Sequence, residues 1–200
     1  MVLLTNCVIT AVRGTWKTTS NLIGAVNNRA VIVRTQRTLP IFSRTLQHAD
    51  RKVVRAPISV MYNVVADVDK YYEFIPYCTK SVVTSKTNKT AKAKLSIGFG
   101  PVQEHYNSTL VLNDPTYVKS ICTEGKLFNL LDCTWKFAPG PQPDTCIVNF
   151  HIIFEFRSLM YTKLANMFFN EVVKKMVTSF ESRAMAQQKK VDNVINDDVC

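Results

Sequence analysis

Groups able to exchange a proton are scarce near the apolar stretches of this sequence. The ones that come close are Glu104, His105, Asp132 and His151. General acid–base work needs two such groups converging on one reacting bond. Alternation with period two from Val102 to Leu112 puts Val102, Glu104, Tyr106, Ser108, Leu110 and Leu112 on one strand face, because successive strand side chains point to opposite sides. The same rule sets His105, Asp132 and His151 on faces opposite the apolar ones, which leaves Glu104 without a second group. Polar groups turned toward an apolar interior need partners, supplied by each other or by a ligand. The six cysteines, Cys7, Cys78, Cys122, Cys133, Cys146 and Cys200, form no C-x-x-C pair and have no histidine at metal-ligand spacing, so no metal site is expected. Isolated thiols in apolar strands read as small buried hydrophobes of a reducing compartment.

The elements that position these groups follow from periodicity. A first strand is predicted from Arg51 to Arg55, then a helix after Pro57 carrying Ile58, Met61, Tyr62 and Val65 at i, i+3, i+4 and i+7. A second short helix is predicted from Asp69, as N-cap, through Tyr72 and Phe74 to a stop at Pro76. Ala91, Ala93, Leu95, Ile97 and Phe99 share one strand face against Lys92, Lys94 and Ser96, the pattern of a sheet wet on one side. Gly98 through Pro101 marks a turn, and shorter strands fit Tyr117 to Thr123 and Leu130 to Phe137. A long last strand carries Cys146, Val148, Phe150, Ile152, Phe154 and Phe156 inward. Ser158 caps a final helix running toward Lys189, whose apolar stripe includes Phe168, Phe169, Val172, Val173, Met176, Val177 and Phe180. A long amphipathic helix after a one-sided antiparallel sheet packs across it, so the fold class is α+β.

Charge divides the chain. The formal charge is +10, but residues 1–49 hold Arg13, Lys17, Arg29, Arg34, Arg37 and Arg44 with no acid, leaving +4 for the rest. An Arg-rich, hydroxyl-rich, acid-free start is the composition of a mitochondrial presequence, and positive charge is driven inward at about 2.3 kcal/mol per charge per 100 mV. The expected organisation is a targeting segment at 1–49, cut between Arg37 and Asp50, a domain at 50–190 and a flexible tail at 191–200. No apolar run reaches the roughly 18–20 residues of a membrane span.

Three segments carry a family resemblance: Glu73-Phe74-Ile75-Pro76-Tyr77-Cys78; Gly125-Lys126-Leu127-Phe128-Asn129 with Trp135-Lys136-Phe137-Ala138-Pro139-Gly140; and Phe154-Glu155-Phe156-Arg157-Ser158 with Phe168-Phe169-Asn170-Glu171-Val172-Val173-Lys174 and Phe180-Glu181-Ser182-Arg183-Ala184. Over about Arg51 to Ala186 the sequence resembles the coenzyme Q-binding family of START-like proteins, the group related to polyketide cyclases and dehydrases. Phe99-Gly100-Pro101 departs from the family's Phe-Pro-Pro, and Tyr77 stands where Trp is commoner. The resemblance implies a helix-grip fold, a curved sheet wrapped around the C-terminal helix with a lipid-size cavity. It also implies a ubiquinone-binding carrier or chaperone on the matrix side of the mitochondrial inner membrane, with respiratory or quinone-synthesis complexes as partners and no catalytic cofactor.

On that footing the cavity lining is expected from Leu95, Ile97, Phe99, Leu131, Trp135, Phe150, Ile152 and Phe154, roofed by Phe168, Val172 and Met176. Tyr106 or a protonated Glu104 is placed to donate to a quinone carbonyl. A membrane-facing mouth is expected from Phe99, Val102, Met167 and Phe169, with Lys163 and Lys174 toward anionic lipid. Two rival functions remain open: a cavity enzyme of the polyketide cyclase type working through Glu104, and a ribosome-associated module using the Lys80, Lys86, Lys89, Lys92 and Lys94 run. Apart from that last reading, no nucleic-acid partner is expected.

Overall fold

A single seven-stranded antiparallel sheet in the order β1-β7-β6-β5-β4-β3-β2 organises the computed structural model, which describes residues 45–99, 102–122, 125–126 and 128–197. Its strands are β1 (Thr45–Val54), β2 (Cys78–Lys86), β3 (Thr90–Phe99), β4 (Val102–Asn113), β5 (Tyr117–Cys122), β6 (Phe128–Pro139) and β7 (Cys146–Phe156). Helix α1 (Ile58–Ala66), a 3-10 turn (Val68–Lys70) and the short α2 (Tyr71–Phe74) separate β1 from β2, and α3 (Leu159–Asp197) closes the chain.

The alternation predicted for β3, β6 and β7 is present. Ala91, Ala93, Leu131, Trp135, Phe137, Cys146, Val148, Phe150 and Ile152 are buried, while Lys92, Lys94, Lys136 and Asn149 are exposed. Ser96, on the outer face of β3, is buried by a 2.7 Å hydrogen bond between its hydroxyl and His105 Nδ1. Helix α1 covers one end of the sheet through Met61, Val65 and Tyr62, the last edge-on to Phe137 at 6.3 Å. Helix α3 packs against α1, β1 and β7.

Two elements extend beyond their predicted limits. β1 starts at Thr45 rather than Arg51, pairing from Thr45↔Glu155 to Val54↔Cys146, so residues 45–49 belong to the sheet. Its inward residues Leu46, His48, Asp50 and Lys52 are mostly polar, which cancels the alternation signal. Lys52 reaches Glu181 of α3 at 3.0 Å and Asp50 on its own strand at 3.5 Å, so one ion pair links this edge to the helix while Val54 and Leu46 pack in and against the core. Helix α3 likewise runs on to Asp197. Asp69, predicted as an N-cap, instead accepts the backbone N–H of Val83, and its carbonyl accepts from the Ser81 hydroxyl at 3.0 Å.

Gly140 sits where a Cβ would come within 2.1 Å of Thr145 Oγ1, with its own N–H donating to Thr145 O at 2.9 Å. Gly140→Ala is expected to cost about 2 kcal/mol, read as a lower denaturant midpoint at unchanged m-value.

Candidate functional site

The sheet and the middle of α3 do not meet completely. Between them lies a cavity of about 300 Å³. Its floor is closed by aromatics: Trp135 packs on Phe150 at 4.5 Å and on Phe180 of α3 at 4.8 Å, pairs worth about 0.5–1.5 kcal/mol each beyond their buried area. Leu95 and Ile97 of β3, Leu131 of β6, Ile152 and Phe154 of β7 and Phe169, Val172, Val173 and Met176 of α3 form the walls. The remaining side is the segment leading into β2, where Tyr71, Ile75, Pro76, Tyr77 and Cys78 face the space. Tyr77 is 37% exposed and holds a left-handed backbone (φ 67°), a conformation that costs a non-glycine residue energy and clusters at functional positions. The exposed Tyr77 marks the mouth; the fully buried Leu110, Val118 and Val173 mark the depth.

Most of the expected lining is brought together: Leu95, Ile97, Tyr106, Leu131, Trp135, Ile152, Phe154, Val172 and Met176 all face the cavity. Phe150 does not; it is 2% exposed and packed between Trp135 and His48 in solid core beneath the floor. Glu104 does not either. It pairs with cavity-lining Ile97 near the β3–β4 tip, two residues beyond Tyr106, but is not itself among the lining residues. Phe169, expected at a membrane-facing mouth, turns inward and meets Phe154 edge-on at 5.5 Å, because it shares the helical stripe of Val172, Val173 and Met176. Lys174 is exposed. The side chains of Phe99, Val102, Lys163, Met167 and Phe168 lie outside the described residues.

The described lining carries no charged side chain. Its polar groups are tyrosines, Ser108, Ser120, Cys78 and Cys133. The Tyr71 hydroxyl is satisfied by donating to Val65 O at 2.5 Å. Burial pushes the Tyr71 and Tyr106 phenols well above the ordinary tyrosine range, so both stay protonated donors. Tyr106 lies edge-on to Phe128 at 6.2 Å, and burial, with no hydrogen bond to a described residue beside it, governs its hydroxyl. Burial likewise pushes the Cys133 thiol up to about 12. Only the thiolate is nucleophilic, so roughly one molecule in ten thousand is reactive at pH 8. Native Cys133 is therefore expected to alkylate at least a hundredfold more slowly than in denaturant, checked by peptide mass spectrometry after timed iodoacetamide exposure.

The other proton-exchanging residues are elsewhere. His105 bonds Ser96 on the outer face, and Asp132 pairs with Lys119 at 2.9 Å on the same face. No group of described residues could hold a metal ion, and no helix among them is long and apolar enough to cross a membrane. The sequence reading missed the α2-side wall and Ser120. Period-two reading of β5, which puts Val118, Ser120 and Cys122 on one face, was the signal available for the latter.

A one-sided sheet closed by one long helix around an uncharged apolar chamber defines a helix-grip protein of the START-like class. Solved structures agree on the fold: an aromatase/cyclase from Streptomyces sp. R1128 (TM-score 0.61, 13% identity, covering 73% of this chain and 94% of that one), and an 18 kDa protein from Caulobacter crescentus (TM-score 0.58, 23% identity, 72% and 99%). The family model for polyketide cyclase / dehydrase and lipid transport matches residues 54–181. Among curated relatives, the mitochondrial coenzyme Q-binding protein COQ10 homolog B of Xenopus laevis is 42% identical over 71% of this chain and 59% of its own length. The Saccharomyces cerevisiae coenzyme Q-binding protein COQ10, mitochondrial, is 30% identical over 70% and 72%, and the Escherichia coli ribosome association toxin RatA is 27% identical over 62% and 77%. The chain belongs to the polyketide cyclase / dehydrase and lipid transport family, in its coenzyme Q-binding branch. It spans less than two thirds of the frog relative's length.

Proposed function

We propose that this protein is a non-enzymatic mitochondrial carrier that binds ubiquinone by its head group. The observation that carries the reading is the cavity's chemistry: an apolar chamber of about 300 Å³ whose polar groups are neutral donors, with no carboxylate or imidazole among its described lining. A cyclase would need an acid–base pair there, and Glu104, the residue that reading depended on, is not among the lining residues. A cavity of roughly 150 Å³ takes one benzene ring, so about twice that volume suits a substituted quinone ring and the start of its tail. The rest of an isoprenoid tail leaves through the mouth at Tyr77.

The same reading places the mouth against the matrix side of the inner membrane, with exposed Tyr77 at its rim and Lys174, Lys163, Phe99, Val102 and Met167 as further contacts. Tyrosine suits an interface that is half apolar and half wet. Respiratory or quinone-synthesis complexes are the partners that would receive or supply the quinone, and no nucleic acid enters this role. Lys80 and Lys94 solvate the outer face among Val82, Thr84 and Ser96, and Lys92 is exposed beside them. Residues before β1 are the proposed targeting segment. Because pairing with β7 begins at Thr45, processing is proposed ahead of that residue.

The test is extraction and mass spectrometry of lipids copurifying with the protein from cells that make ubiquinone. The reading expects stoichiometric, chemically unchanged ubiquinone. Purified folded protein carrying none, or carrying a converted product, would end it.

A further inference from the structure

The concave face of the central strands is apolar except along one diagonal. Tyr106 and Ser108 sit two residues apart on β4, Ser120 follows on β5, and all three face the cavity. The Ser108 and Ser120 hydroxyl oxygens are 2.6 Å apart, and Ser108 is only 3% exposed. Two serine hydroxyls bring two protons, and one O–H···O contact uses one of them. The second proton has no acceptor among the described residues. Neither does the proton of Tyr106, which burial keeps on its oxygen. Among the described residues the cavity thus presents two spare O–H donors at separate positions, about 6.6 Å apart along the strand at their Cα atoms, and no obligate acceptor to match.

We propose that Tyr106 and the Ser108–Ser120 pair form a two-point donor anchor that makes the cavity select the oxidised, dicarbonyl ring over its quinol. The inference rests on the ubiquinone reading and adds to it both the anchoring residues and the redox form carried. A quinone carbonyl accepts and carries no proton, so each of the two contacts uses the protein's spare proton and leaves none over. A quinol hydroxyl at the same place brings a proton of its own. One hydroxyl–hydroxyl contact consumes one of the two protons, and the other is stranded in apolar surroundings, where an unmade hydrogen bond is expensive. Each stranded proton is expected to weaken binding about tenfold. A carrier built this way holds quinone tightly and releases the ring once it is reduced, so the reaction that discharges it is a two-electron, two-proton reduction by a quinone-reducing partner.

The experiment titrates a short-tailed ubiquinone analogue, and the same analogue kept reduced, against the full chain in a Trp16→Phe background, so that cavity-lining Trp135 is the sole indole and reports binding by quenching. The expected result is at least tenfold tighter binding of the oxidised form. In Ser108→Ala/Ser120→Ala, which removes both partners of the pair at little cost to folding, and separately in Tyr106→Phe, quinone affinity is expected to fall about tenfold while quinol affinity holds or improves. Thermal melts confirm that the variants fold. Equal affinity for both forms in the wild type overturns the inference and leaves the ubiquinone reading standing. So does an undiminished preference in both variants. Binding of neither form overturns both readings.

Discussion

Val172→Trp is expected to abolish ligand binding, at least a hundredfold, while leaving the fold as stable as the wild type or slightly more so. Val172 faces the cavity from α3, half-buried, one turn from Phe169 and from Met176. An indole there occupies much of the space that the quinone ring needs. Overpacking a filled core costs typically 1–3 kcal/mol, but here the added atoms enter about 300 Å³ that is already open, and filling a void commonly adds about 0.5–2 kcal/mol of stability. The two readouts therefore move apart, which a general folding defect cannot produce. The control is Thr178→Trp, the same enlargement on the exposed face of α3, expected to keep both ligand content and melting temperature. Wild-type quinone content in purified Val172→Trp would show that the chamber between α3 and the sheet is not where the ligand resides.

The chamber's sheet wall was legible because binary patterning is strongest where one face is dry and the other wet. Leu95, Leu131, Trp135 and Ile152 stand out against Lys94, Asp132 and His151 by alternation alone, and Met176 and Phe180 by helical spacing. What alternation cannot say is where packing stops. Phe150 and Ile152 share a face and differ by two residues, yet one lies in solid core and the other on open space, because Trp135 packs directly on Phe150 and closes the floor there. Glu104 shows the same limit: it follows the face of Tyr106 and Ser108 and pairs with Ile97, all three in the lining, yet is not part of the lining itself. The α2-side wall was hidden differently. Tyr71 lies in a single turn of helix and Ile75 and Tyr77 in the irregular step after it, with no period to read. The resemblance marked that step as distinctive without saying which way its side chains point.

That wall is fastened to α3 by Arg183 and by ring contacts to Phe180, and replacing Arg183 should change ligand residence more than stability. The Arg183 guanidinium pairs with the Glu73 carboxylate and lies 5.4 Å from the Phe74 ring centroid. Phe74 and Tyr71 both meet Phe180 edge-on, at 5.3 and 5.2 Å. The pair is about one-third exposed, with side-chain exposures of 30% and 35%, so solvent screening holds its worth to about 1 kcal/mol or less; the ring contact adds about 0.5–1 kcal/mol. Against these gains, Arg183 Nε is buried with no hydrogen-bond partner, a standing cost of about 1–3 kcal/mol. Arg183→Met keeps the apolar stem that packs along Phe74 and removes both the ion pair and the orphaned nitrogen, so the terms largely cancel in global stability. The ion-pair part of the fastening does not survive the exchange, and only the ring contacts to Phe180 still hold α2 against α3. Ligand leaving past Tyr77 must displace that segment, and losing roughly 1.4 kcal/mol of restraint corresponds to a tenfold faster escape. Arg183→Met is therefore expected to melt within a few degrees of wild type while its quinone dissociates about tenfold faster in a stopped-flow chase read by Trp135 fluorescence. Unchanged dissociation at unchanged stability would mean that the α2 wall does not move when ligand leaves.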